Sequence, residues 1–135
     1  RNGTAGDLYI FLNIEEHPIF KREGADIFCR VPLTISTAAL GGQVEVPTLG
    51  GGRARINIHA GTQNGRQFRL RGKGMSVLRR ADRGDLYVEA AVETPVNLTK
   101  AQKKLLEEFS EIVSDKNNPE STGFFAKVRA LWQDL

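Results

Sequence analysis

Residues able to do acid–base, nucleophilic or metal chemistry are few in this chain of 135 residues. The two histidines, His17 and His59, stand far apart and in no ligand spacing such as His-x-x-x-His. His17 precedes Pro18 at a strand exit, and His59 falls out of step with Ile56 and Ile58, so both read as loop or surface histidines. Cys29 shares the apolar face of its strand, which makes it a buried thiol rather than a nucleophile. A single cysteine excludes an internal disulfide and any cysteine-built zinc site within these residues. Glu15 and Glu16 are adjacent and point to opposite faces of a strand, a poor geometry for an acid–base pair. Gly50-Gly51-Gly52 lacks the Gly-Lys-Ser/Thr of a phosphate loop, and Gly72-Lys73-Gly74 is followed by no helix signature. The expectation is a non-enzyme that works by binding, with no cofactor and no metal in this stretch.

The elements that would position a binding surface are legible as strands and turns. Glycine supplies 14 residues, about a tenth of the chain against a usual ~7%, with no collagen-like period. A repeat is present: Gly6-Asp7-Leu8-Tyr9-Ile10 returns as Gly84-Asp85-Leu86-Tyr87-Val88. Each copy opens a strand of alternating core residues, Leu8, Ile10, Leu12 and Ile14 in one and Leu86, Val88, Ala90 and Val92 in the other. Within the second unit Ile27, Cys29, Val31, Leu33 and Ile35 alternate, and Pro32 marks an edge strand or an unpaired position. Residues 36–40 followed by Gly41-Gly42 predict a helical turn with a glycine stop. Val44 and Val46, the Gly50-Gly51-Gly52 turn, then Ala54, Ile56 and Ile58 predict a hairpin, with Phe68 and Leu70 on a further strand.

After Pro95 the period changes to that of helix. Thr99 with Gln102 forms a capping-box sequence, and Ala101, Leu105, Leu106, Phe109, Ile112 and Val113 make one apolar stripe. Residues 114–122 are polar and turn-rich and read as a linker. Phe124, Phe125, Val128, Leu131, Trp132 and Leu135 then return at helical spacing. A segment this short needs something to dock on, either its own sheet or a second copy of the chain. The fold class is thus mainly β: a small β-sandwich with Gly-rich hairpins and a short internal helix, followed by C-terminal amphipathic helices. The predicted division is a closing strand of a preceding repeat over 1–18, a β-sandwich over 19–98, a helix over 99–115, a linker over 116–122 and an amphipathic tail over 123–135. The chain opens on Arg1 and its one methionine is Met75, which predicts a piece of something longer.

Net charge is +3, too mild to imply a nucleic-acid protein. It is uneven, however. Residues 66–83 hold Arg66, Arg69, Arg71, Lys73, Arg79, Arg80 and Arg83 against Asp82 alone, a net +6 that leaves −3 on the rest. Such a stretch can meet phosphates or keep an edge strand soluble. A nucleic-acid-binding β module is therefore the alternative reading, but only Phe68 interleaves an aromatic ring with the cations. No apolar run approaches the ~20 residues of a membrane helix, and no signal peptide opens the chain.

Several motifs in order carry a resemblance. The run from His17-Pro18-Ile19-Phe20 through Gly24-Ala25-Asp26-Ile27 to Val31-Pro32 resembles the C-terminal region of bacterial DnaJ co-chaperones. Ala38-Ala39-Leu40-Gly41-Gly42, Val44-Glu45-Val46-Pro47, Ala60-Gly61-Thr62-Gln63, Phe68-Arg69-Leu70-Arg71-Gly72-Lys73-Gly74 and Gly84-Asp85-Leu86 continue it. Phe124-Phe125-Ala126-Lys127-Val128 is similar to the tail of the zinc-containing class. The resemblance implies the second of two tandem client-binding β-sandwiches and a dimerisation element. His17-Pro18 is followed by Ile19, so it is not the His-Pro-Asp motif of a J-domain, and the zinc modules are absent here.

What the resemblance implies for function is binding of unfolded polypeptides, homodimerisation, and assistance to a DnaK-type chaperone in protein folding, heat-shock response and DNA replication. It also implies a cytoplasmic setting and zinc in an upstream region. By face alternation the client-binding candidates are the off-core apolar residues Tyr9, Phe11, Phe28 and Tyr87. Phe11 stands out because its repeat partner is Glu89. The dimerisation candidates are Leu105, Leu106, Phe109, Ile112 and Val113 on the first helix, with Phe124, Phe125, Val128, Leu131 and Trp132 on the tail.

Overall fold

A computed structural model describes residues 17–75 and 84–134. It divides into two compact units, Arg1–Pro95 and Val96–Leu135. The first unit is built from alternating strands. Strand β1 (Phe20–Glu23) turns through Gly24, at φ 63°, into β2 (Asp26–Thr34), with Glu23 registered on Asp26. Glycine fits there because the two-residue hairpin needs a positive φ. The helix α1 (Ile35–Leu40) follows, then the hairpin β3 (Gly42–Pro47) and β4 (Arg53–Ile58), β5 (Gln67–Leu70) and β6 (Leu86–Glu93).

Two sheets result. One has four strands in the order β1-β2-β6-β5, in which β2 and β6 are parallel and the outer pairings antiparallel. The other is the antiparallel β3–β4 hairpin. Their apolar faces form one core: Phe20, Ile27, Cys29, Leu33, Leu86, Val88 and Ala90 from the large sheet, with Val46, Ile56 and Ile58 from the small one. Leu49 and Met75 close its ends. The expected small sandwich with glycine-rich hairpins, an internal helix and helices after it is what the chain adopts.

The differences are local. Ile35 does not extend β2; it opens α1, because the Thr34 side chain accepts the Thr37 N–H at 3.1 Å and caps the helix one residue earlier than expected. Val31 and Val92 are half-buried rather than core, while Ala91 is buried. Pro32 lies in an inner strand, yet in an unpaired position. Ile27 donates its N–H to Asp85 on the β6 side, so by alternation the Pro32 nitrogen faces the β1 side. The register of β1 stops at Phe20 opposite Cys29, so no described strand stands there to be deprived of a donor. Gly41 ends α1 at φ 87°, and a Cβ on it would meet the Ile58 carbonyl at 2.9 Å. The repeat copy over residues 1–16 lies outside the described residues.

In the second unit α2 (Lys100–Ile112) starts on the predicted capping box: Thr99 Oγ1 accepts the Gln102 N–H, and Gln102 Oε1 accepts the Thr99 N–H at 2.8 Å. The helix α3 (Pro119–Gln133) begins inside the segment read as linker. Pro119 is the reason: at the first helical position its missing N–H costs nothing and its fixed φ favours the helix. Ser114 and Asn117 close the turn before it, with the Ser114 N–H donating to Asn117 Oδ1 at 2.8 Å. Neither helix has a buried residue.

Candidate functional site

The face of the large sheet turned away from the core carries the candidate site. Alternation along β2 sends Ile27, Cys29 and Leu33 inward, which leaves Phe28 and Arg30 on the outer face. Alternation along β6 likewise buries Leu86 and Val88 and leaves Tyr87 and Glu89 outside. The parallel register sets Phe28 beside Tyr87, and the two rings stack with centroids 5.1 Å apart at 14°. Lys21 of β1 is registered on Phe28, and Arg69 of β5 on Tyr87. One row across the sheet thus reads Lys21, Phe28, Tyr87, Arg69. The next row holds Arg30, Glu89 and Gln67.

A groove of about 320 Å³ lies over this face, lined by Pro18, Ile19, Lys21, Phe28, Cys29, Arg30, Gln67, Tyr87 and Glu89. His17 does not line the groove and instead orders the turn that leads into β1. Its Nδ1 accepts the N–H groups of Ile19 and Phe20 at 3.1 and 3.3 Å, and its ring packs against Phe20 at 4.9 Å. The histidine is a turn-former here. Cys29 is buried, and burial pushes its thiol pKa up, which favours the protonated form.

An electrostatic clamp lies at the β5 end of the aromatic row. The Arg69 guanidinium meets Asp85 Oδ2 through Nε at 2.7 Å and Nη2 at 2.6 Å and lies 5.9 Å from the Tyr87 ring centroid. Asp85 Oδ1 accepts the Gly72 N–H at 2.9 Å. The Asp85 N–H in turn donates to Asp26 Oδ1 at 2.8 Å. The Gly72 N–H first, and then Arg69, hold the Asp85 carboxyl below the usual carboxylate range. The same carboxylate raises the pKa of Arg69. Gly84 must be glycine at this corner, since a Cβ there would run into the Ala25 carbonyl. Sequence reading singled out Gly84-Asp85 only as the start of a strand. The partners of Asp85 come from a distant turn, and no local pattern announces them.

The structure therefore brings two of the four client-binding candidates, Phe28 and Tyr87, into one stack. Tyr9 and Phe11 lie outside the described residues. The dimerisation candidates are placed on two helices: Leu105, Leu106, Phe109 and Ile112 on α2, and Phe124, Phe125, Val128, Leu131 and Trp132 on α3. Val113 is the half-buried C-cap residue of α2, and Val128 is half-buried as well. Ile112 is 79% exposed and Trp132 66%. Of the basic segment, Arg66 lies over Phe68 at 5.2 Å and Arg69 is tied to Asp85, while Arg79, Arg80 and Arg83 fall outside the described residues. Among the described residues no group of three or more His, Cys, Asp or Glu could hold a metal ion. No described helix is long and apolar enough to cross a membrane.

Comparison with known proteins agrees with this architecture. Residues 1–95 match the DnaJ C terminal domain, and residues 101–134 match the Chaperone protein DnaJ C-terminal region. The Chaperone protein DnaJ of Paramagnetospirillum magneticum is 62% identical over 138 residues, covering 100% of this chain and 36% of that protein. That of Rhodospirillum centenum is 63% identical over 135 residues, again covering 100% of this chain and 36% of the relative. That of Brucella canis is 53% identical with the same coverage of both. This chain thus spans little more than a third of these relatives. The chain belongs to the DnaJ C-terminal domain family.

Proposed function

We propose that this member of the DnaJ C-terminal domain family acts as the part of a co-chaperone that takes hold of apolar segments of unfolded polypeptides and pairs two copies of the chain. The observation that carries the reading is the Phe28–Tyr87 stack in an open groove on the outer sheet face. Rings stacked side by side on a sheet surface present an apolar ridge to an extended segment, and burying a large side chain against it contributes about 1.5–3 kcal/mol. Such a contact is weak by itself. Two copies in a dimer make the second contact intramolecular and raise its effective concentration. The apolar faces of α2 and α3 suit the dimer, because exposed residues at helical spacing have no core of their own to enter.

Tyr9 and Phe11, by the repeat, belong to the same kind of contact on the preceding unit, and Phe11→Glu is expected to weaken client binding without a large loss of stability. Partnership with a DnaK-type chaperone, a zinc site and a cytoplasmic setting are read as properties of the longer protein, not of these residues. The reaction is non-enzymatic in this reading, and nucleotide is not consumed here.

The test is the double substitution Phe28→Ser with Tyr87→Ser, measured by fluorescence anisotropy with a labelled, permanently unfolded polypeptide. Affinity is expected to drop at least fivefold, while the thermal midpoint shifts little because both rings are only half-buried. Unchanged affinity in a folded variant would remove the groove from the binding surface.

A further inference from the structure

The charges around the stack are arranged asymmetrically. On the β5 side the cation is already engaged, since Arg69 is held by Asp85. On the β1 side Lys21 and Arg30 have no hydrogen bond or ion pair among the described residues, and both side chains are exposed. Lys21 stands in the row of the aromatic pair, next to Phe28, and Arg30 follows Phe28 on the same face of β2. Ile19, 47% exposed, adds a further apolar side chain to the lining. The single carboxylate lining the groove, Glu89, stands on β6 in the next row, registered on Arg30. An apolar patch thus carries two exposed cations, Lys21 and Arg30, against one carboxylate, which leaves its rim net positive.

We propose that the groove selects among apolar segments, preferring an extended polypeptide that places an acidic residue beside the side chain seated on Phe28 and Tyr87. The inference rests on the binding reading given above and adds the chemical class of the segment. Physically, the rings contribute affinity by area, whereas Lys21 and Arg30 contribute discrimination by charge. A carboxylate next to the seated side chain falls within reach of both cations. A lysine in the same place meets their field unfavourably. Exposed ion pairs are individually weak, so the preference is graded rather than absolute. It also weakens with salt, because these charges are not shielded from solvent.

The experiment uses the whole 135-residue chain and three fluorescein-labelled peptides that share one apolar core and carry glutamate, glutamine or lysine on both flanks. At low salt the glutamate peptide is expected to bind about three- to tenfold more tightly than the lysine peptide, with glutamine between, and the spread should shrink at 0.5 M salt. The double variant Lys21→Glu with Arg30→Glu should reverse the order of the three peptides, with its fold confirmed by circular dichroism. Three equal affinities that still fall in Phe28→Ser/Tyr87→Ser would overturn charge selection and leave the groove as the binding site. An order that survives the charge reversal would also overturn it. Binding by none of the peptides, or binding indifferent to both aromatic substitutions, would overturn the groove reading along with it.

Discussion

The two units of this chain solve the problem of apolar side chains in opposite ways. In the first, alternation along strands gives each sheet one apolar face, and the two faces bury each other. Ile27, Val46 and Leu86 are each no more than 1% exposed there. In the second, α2 and α3 carry apolar residues at helical spacing, more sharply on α2 than on α3, yet neither buries a residue. Leu105, Phe109, Leu131 and Trp132 all remain more than half exposed. Period is therefore no guarantee of burial. A strand finds partners within its own chain through the sheet ladder, whereas a short helix stripe needs a surface supplied by something else.

Breaking that contrast at its largest point means removing the helices. Deletion of residues 99–135 is expected to turn a dimer into a monomer, halving the mass in sedimentation equilibrium, while the sheet unit keeps its cooperative melt. An unchanged mass would place the interface on the β unit. A core substitution should have the converse effect. Leu86→Ala is expected to lower the stability of the first unit by about 2–5 kcal/mol in urea denaturation, because it leaves a cavity in a closed core. The equivalent change in the second unit, Leu105→Ala, should cost the isolated monomer little and weaken the dimer instead.

A smaller effect tests whether α2 depends on its own local signals. Thr99→Ala removes the side chain that accepts the Gln102 N–H and is expected to cost about 1 kcal/mol, read as a loss of helical ellipticity. The first unit should melt unchanged. The smallest effect concerns acid. The Asp85 carboxyl has a folded pKa depressed chiefly by the Gly72 N–H and then by Arg69. A depressed acid stabilises the fold above its unfolded pKa of about 3.9, and that contribution fades as pH falls through the folded value. The urea midpoint of Asp85→Asn should therefore lie below that of the parent at pH 7, and the gap should narrow below about pH 4. A gap that does not change with pH would assign the loss to geometry rather than to charge.

Much of this was open to reading from local pattern. Alternation along 27–33 and 86–90 marked the residues that enter the core, and the spacing of Thr99 and Gln102 marked the start of a helix. Phe28 and Tyr87 were legible as off-core aromatics for the same reason: each interrupts an inward-facing series. The early start of α1 at Ile35 and of α3 at Pro119 was less legible, since Thr34 and Pro119 sit where strand or loop readings are equally consistent with composition. The clamp of Arg69, Asp85 and Gly72 was not legible at all. Its members lie in different elements, and nothing local couples them.

The sequence by itself therefore determined most of the residues that face inward, most of the turns, and that helical segments follow the strands. Periodicity and caps are local, and the physics that reads them acts over a few residues. Only the tertiary structure decided that β2 and β6 lie parallel and side by side, bringing Phe28 onto Tyr87 and placing Lys21 at one end of that row and Arg69 at the other. Alternation assigns a side chain to a face but says nothing about which strand becomes its neighbour. That choice belongs to the packing of the whole sheet, where long-range pairings compete and the buried face selects the register. The groove is a product of that choice. So is its charge arrangement: Arg69 is tied to Asp85, Arg30 is set beside Glu89, and Lys21 stands in the row of the stack.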